Sequence, residues 1–220
     1  EAIVIVFREL VNVEISGTAT RQRVSLTTFD DNPSALELIR AFINARLLVS
    51  STQRGQRILE VAHESLLRSW PRLADWIDRT QDDLRLLRQV RSAAAEWQDR
   101  KRPSSYLWQH ERLQPEYEMQ KRLNVVFNEV EREFLRPETD RLFEEFKQHH
   151  SSGARESLYR QMAVVDRFTQ IGAPSVPTIL KCIRFSAGSS VRKSLISLLK
   201  SIEPNALISA LDAALDTKDA

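Results

Sequence analysis

His63 and Glu64 stand side by side in Val61-Ala62-His63-Glu64-Ser65-Leu66-Leu67, the run that most invites a chemical reading. A zinc-peptidase helix would need a second His four positions on, and residue 67 is Leu, so the second metal ligand is missing. His110-Glu111 fails in the same way, with Gln114 at the ligand position. His149 and His150 are adjacent and would diverge by roughly 100° on a helix, which favours a linker over a metal site. None of Gly17, Gly55, Gly153, Gly172 and Gly188 precedes the Gly-Lys-Ser/Thr of a phosphate loop. Ser190–Lys193 and Ser197–Lys200 fit Ser-x-x-Lys without the partner motifs such a nucleophile needs. Cys182 sits between Ile179 and Ile183 as a small apolar residue. These spacings predict no catalytic residue and no metal site.

Arginines are the other concentration of chemistry. Arg46 and Arg57 flank a polar Gly-containing stretch, Ser51–Gln56, that contains Arg54, and Arg21 and Arg23 lie on an earlier alternating segment. Such residues could contact nucleic-acid phosphates. The helix that would have to read bases presents Glu37, Arg40, Ala41 and Asn44, which carry no net charge. The reading is therefore against specific nucleic-acid binding, with a solvated hairpin as the plainer account.

The elements that position these residues follow from pattern. Ala2–Val11 is apolar and can begin as a helix; Arg21–Leu26 alternates as one short edge strand. Asn32 can cap a helix with Pro33 in its first turn, placing Leu36, Ile39, Phe42 and Ile43 on one face. Arg46–Ser50 and Arg57–Ala62 are β-prone and predict a hairpin around a loop over 51–56. A second amphipathic helix carries Leu66, Trp70, Leu73 and Ile77. Helix followed by hairpin predicts a winged helix over residues 1–78.

Residues 79–150 read as a helical connector. Leu84, Leu87, Val90, Ala94 and Trp97 form one stripe, and Leu123, Val126, Phe127, Val130, Phe134 and Leu135 form another. His149–Gly153 reads as a linker. Residues 151–220 look repetitive: Ile171-Gly172-Ala173-Pro174 and Ser201-Ile202-Glu203-Pro204 each close one helix and open the next. Val164/Phe168 with Ile179/Ile183, and Leu195/Leu198 with Leu207/Leu211, would face inward. This resembles HEAT-type helical repeats. The expected fold class is mainly α: winged helix with a small hairpin, helical connector, then HEAT-like pairs.

Composition bounds the rest. The 220 residues are 42% hydrophobic with a net charge of +2, a mixed surface that does not bind nucleic acid or acidic lipid by bulk charge. Five Gly and eight Pro argue against both a many-stranded β fold and disorder. One Cys points to a reducing, cytoplasmic setting. The longest apolar run, Ala2–Phe7, is too short to span a bilayer. Glu1 opens directly into an apolar segment, and a fragment of a longer protein is expected.

Glu60–Leu73 carries a more specific message. Val61-Ala62-His63-Glu64-Ser65-Leu66-Leu67-Arg68-Ser69-Trp70-Pro71-Arg72-Leu73 resembles the run that closes the wing in bacterial signal-transduction ATPases with numerous domains, the STAND class. Leu84–Arg88, Ala93–Trp97, Ser105–Leu107, Arg112-Leu113 and Glu131–Leu135 are similar to that family as well, so the resemblance spans roughly residues 1–136. It implies a regulatory role with no catalysis in this chain. A nucleotide-binding domain upstream in the same protein would hold ATP or ADP with Mg, and the repeat array would sense a protein ligand. In apoptotic and plant immune relatives a winged-helix His touches the β-phosphate of ADP, and in the plant proteins it lies in Met-His-Asp. Ala62-His63-Glu64 differs from that run at both flanks, and His63 is the residue the resemblance nominates for the nucleotide phosphate. The alternatives are a packing or helix-start role for His63, and, for the whole chain, a winged-helix transcription regulator or a free-standing helical scaffold.

Overall fold

The computed structural model describes residues 2–14, 16–149, 155–186 and 190–216. The described residues are mainly helical with two small antiparallel sheets. It divides into two compact units, one of Glu1–Ser105 with Pro115–Glu131, the other of Tyr106–Gln114 with Arg132–Ala220.

In the first unit, α1 (Ala2–Leu10) buries Val6, Phe7 and Leu10. It runs into β1 (Val11–Val13), which pairs with β2 (Ala19–Arg21). The single strand expected over Arg21–Leu26 is two. The Gln22 N–H donates to the Leu10 carbonyl at 2.7 Å, one step further along the β1–β2 register, and the chain then leaves the first sheet. β3 (Val24–Ser25) then joins the second sheet, and a 3-10 turn, Leu26–Phe29, buries Phe29. α2 (Pro33–Asn44) starts as its residues dictate, with Asn32 Oδ1 accepting from the Ala35 N–H at 2.9 Å and Pro33 in the first turn. Ile39 and Ala35 are buried, while Leu36, Phe42 and Ile43 are half-buried.

β4 (Leu48–Gln53) and β5 (Gln56–Val61) form a hairpin in a sheet ordered β3-β5-β4. The six-residue loop expected over 51–56 is a two-residue turn. Arg54 (φ 50°) and Gly55 (φ 81°) are both left-handed, as a type I′ turn requires, and this turn matches strand twist so pairing continues to Gln53 and Gln56.

The single helix expected across Leu66–Ile77 is also two. α3 (Leu66–Ser69) stops at Trp70, which is extended because Pro71 follows, and Pro71 starts α4 (Pro71–Asp99). Trp70 packs against Phe7 and Phe42 at ring-centre distances of 5.8 and 5.9 Å. The stripe on α4 holds: Leu84, Leu87, Val90, Ala94 and Trp97 are all buried. The boundary expected at 78/79 falls inside this continuous helix.

α5 (His110–Leu123) carries Pro115 within it, and the division between units passes at Gln114–Pro115. The second expected stripe is broken. Asn124 (φ 50°) ends α5, with the Val125 N–H returning to the Gln120 carbonyl at 3.1 Å. A reciprocal cap then opens α6 (Glu129–Phe134): the Glu131 N–H donates to Asn128 Oδ1 and the Asn128 N–H to Glu131 Oε2, both at 2.9 Å. Residues 124–128 are therefore not helical. Phe127 is buried, but Val126 is 83% exposed.

In the second unit, α7 (Glu138–Gln148), α8 (Arg155–Ile171), α9 (Val176–Phe185) and α10 (Ser190–Ser201) share one core. It includes Phe146, Val164, Phe168, Ile179, Cys182 and Leu195. Gly172 (φ 74°) ends α8. α11 (Pro204–Asp216) packs on α9, with Leu207 and Leu211 half-buried. No strand occurs among the described residues from 155 to 216. Of the expected linker, His149 closes α7 and His150–Gly153 lie outside the described residues. Arg167 grips both oxygens of Glu138 at 2.8 Å and reaches Glu111 at 2.7 Å. Among the described residues no helix is long and apolar enough to cross a membrane.

Candidate functional site

β5 delivers His63 to the end of the sheet. The Ala62 N–H makes the last ladder bond, to the Leu47 carbonyl at 3.0 Å, and the chain then leaves the sheet. The His63 carbonyl accepts from the Leu66 N–H at 3.0 Å and the Glu64 carbonyl from the Leu67 N–H at 3.1 Å, so the exit bends directly into α3. Glu64 fixes the bend from the other side, its Oε1 accepting from the Arg21 N–H of β2 at 3.0 Å. The imidazole of His63 is exposed and takes part in no hydrogen bond among the described residues. Among the described residues no hydrogen bond orients either ring nitrogen. Both nitrogens remain available to an oxygen-rich ligand.

The five arginines differ in their partners. Arg23 Nε meets Glu60 Oε2 at 3.1 Å, and Arg21 Nη1 lies 3.8 Å from the same oxygen. Arg46, Arg54 and Arg57 are exposed and form no ion pair among the described residues. The outward residues of α2, Glu37, Arg40, Ala41 and Asn44, are exposed as the sequence predicts.

A charged network that pattern reasoning missed lies in the same unit. Arg88 on α4 donates through Nη2 to the carbonyls of Arg8, Glu9 and Val11, at 3.2, 3.1 and 2.8 Å, capping the end of α1. Arg85 Nε donates to the Glu14 carbonyl, just past β1, at 3.1 Å. Arg8 caps the end of α5 through the carbonyls of Leu123 (2.8 Å) and Asn124 (2.5 Å). Arg91 binds buried Glu9 and lies 3.5 Å from Glu131. Burial would raise the Glu9 pKa, but the Arg91 bonds and charge, with Arg8, outweigh it and hold it below the usual carboxylate value. Burial and the neighbouring Arg91 charge push Arg88 down to about 10, with Glu9 opposing them. The available signal was the spacing: Arg85, Arg88 and Arg91 each follow a stripe residue of α4 by one position.

Residues 1–105 match the family model described as Novel STAND NTPase 1. No curated protein and no solved structure matches the chain. The matched stretch ends where the first segment of the first unit ends, at Ser105. It contains His63, Glu64, the hairpin and the arginines of α4, and it supports the STAND-class resemblance for that part of the chain. Arg112-Leu113 and Glu131–Leu135 lie outside it.

Proposed function

We propose that this chain is a non-catalytic regulatory and sensor-linking module of a STAND-type signal-transduction ATPase, in bacterial signalling that includes defence. In this reading α1 to α3 and the three-stranded sheet are the winged helix, with β4 and β5 as its wing. α4 to α7 form the connector, and the helices from α8 onward are a HEAT-like array that takes a protein ligand. The ATPase domain would lie upstream in the same protein with ATP or ADP and Mg, and the chain itself would not hydrolyse nucleotide. The setting would be cytoplasmic.

His63 carries the proposal. It lies inside the region matched to the STAND family, at a strand–helix junction fixed by Glu64 and Arg21, with an exposed and unengaged ring. A donor to a phosphate held by a neighbouring domain must be placed outside its own core, and a ring N–H is a donor that suits a phosphate oxygen. The test is His63→Ala in the full-length protein. ADP should bind more weakly and basal activity should rise, because a contact made only in the closed state is lost. The stability of this chain should change by no more than about 0.5 kcal/mol, as for other exposed positions. Unchanged ADP affinity would remove His63 from the site.

A winged-helix transcription regulator is the second reading, favoured by the unpaired Arg46, Arg54 and Arg57. The neutral outward face of α2 counts against it. Under the first reading duplex binding is without sequence preference and fades steeply with salt; a salt-resistant, sequence-selective complex would favour the regulator.

A further inference from the structure

The hairpin has an open side. β4 is an edge strand of its sheet, and the register with β5 fixes which of its backbone groups are used. In a hairpin with a two-residue turn the flanking pair, here Gln53 and Gln56, is hydrogen-bonded, and bonded pairs then alternate along the ladder. The Ala62 N–H bond to the Leu47 carbonyl sets the same phase at the far end. Val49, Ser51 and Gln53 therefore direct their N–H and C=O groups at β5. Ser50 and Thr52 direct theirs away from the sheet.

Edge strands are commonly guarded by lysine, proline or a bulge. Val49-Ser50-Ser51-Thr52-Gln53 has none of these, pairs residue for residue with β5, and is exposed throughout. Charge lies at its ends instead. Arg46 precedes the strand, Arg54 sits in the turn, and Arg57 is the register partner of Thr52. All three are exposed and without ion pairs among the described residues, whereas Arg21 and Arg23 face Glu60.

We propose that β4 is an acceptor edge for an extended, acidic segment of a partner protein, which adds as a fourth strand through the Ser50 and Thr52 backbone groups while its carboxylates meet Arg46, Arg54 and Arg57. Strand addition draws affinity from main-chain bonds and selects partners through side chains. A second copy of this chain is the wrong occupant, because antiparallel self-pairing about Ser51 would bring two sets of arginines together. Nucleic acid is disfavoured by the neutral outward face of α2. This inference does not depend on the nucleotide role of His63.

The probe is a synthetic peptide, acetyl-Glu-Glu-Val-Thr-Val-Thr-Glu-Glu-amide, with a twin carrying Lys for every Glu. Both are titrated into the isotope-labelled chain, with amide shifts and hydrogen exchange as readouts. The acidic peptide should protect the Ser50 and Thr52 amides, and the twin should not bind. Thr52→Pro removes an outward donor and no β4–β5 bond, a placement that edge strands tolerate, and should abolish binding. Arg54→Glu and Arg57→Glu should each weaken it about fivefold, the size of one exposed ion pair, and they leave the backbone ladder intact. No binding at millimolar peptide, or equal binding by Arg54→Glu or by a folded Thr52→Pro variant, would overturn the proposal. So would a short random duplex that protects the same two amides at physiological salt, which would assign the edge to nucleic acid.

Discussion

Arg91 holds the carboxylate of Glu9 with two parallel hydrogen bonds, Nη1 to Oε2 at 2.6 Å and Nη2 to Oε1 at 3.0 Å. The pair joins α4 to α1 across 82 residues of sequence, and the Glu9 side chain is almost wholly buried. Two-pronged arginine–carboxylate geometry is stronger and more directional than a single charged contact.

Removing the arginine should therefore cost more than an exposed pair would. Arg91→Met leaves Glu9 buried with Arg8 as its remaining counter-charge and should destabilise the chain by about 3 kcal/mol, the lower end for a broken buried pair. Urea denaturation at neutral pH measures it. A loss no larger than that of an exposed ion pair would mean that Glu9 finds water or another partner.

The same carboxylate sets an acid response. Glu9 titrates below its ordinary value in the folded chain, and so does Glu138, where burial is outweighed by the Arg167 bond and the His110 N–H. A group depressed on folding stabilises the fold above its unfolded pKa of about 4.3, and that contribution is lost as pH falls through the lower folded value. The urea midpoint should hold from pH 7 to about 5 and fall below that. The stability gap between the native chain and Arg91→Met should close towards pH 3, as protonation of Glu9 removes what the arginine supplied. A gap independent of pH would show that Arg91 acts through packing alone.

Val126 and Phe127 test the break between α5 and α6. Phe127→Ala should cost about 3 kcal/mol or more, as for a buried aromatic, while Val126→Ser should stay within about 0.5 kcal/mol. The paired thermal melts decide it. A large loss at Val126 would restore the continuous apolar stripe.

Cys182 is buried within the second unit, and desolvation pushes its thiol up to about 12, with Lys181 opposing only in part. The thiolate is the nucleophile, so the folded chain should resist iodoacetamide at pH 8 and the urea-unfolded chain should react readily. Rapid native labelling would indicate that the α9–α10 packing opens.

What could be read from the sequence was local and periodic. Asn32-Pro33 opens α2 because both residues act through groups within three positions of themselves. The Leu84–Trp97 stripe is buried because a regular helix repeats its face. The breaks at Trp70-Pro71 and Asn124–Asn128 were hidden because apolar residues flank both, and periodicity alone does not see a proline restart or a reciprocal cap. Arg8, Glu9, Arg88 and Arg91 were hidden for a different reason. A long charged side chain beside an apolar stripe has the same pattern whether it lies in water or closes the end of a distant helix. His63 was nominated by resemblance to a family. Its exposure follows from the junction geometry, which the order of residue types does not encode.

α4 has a mechanical consequence. Its 29 residues form a rod of roughly 43 Å, and Arg85, Arg88 and Arg91 fasten it to the end of α1 and the strand that follows, near its midpoint. Buried residues from Leu73 to Trp97 grip the same rod along its whole length, so it moves as one stiff piece. The Pro71 end adjoins the short segment that begins at His63, so a push on that segment is carried to Asp99 without stretching a single helical hydrogen bond.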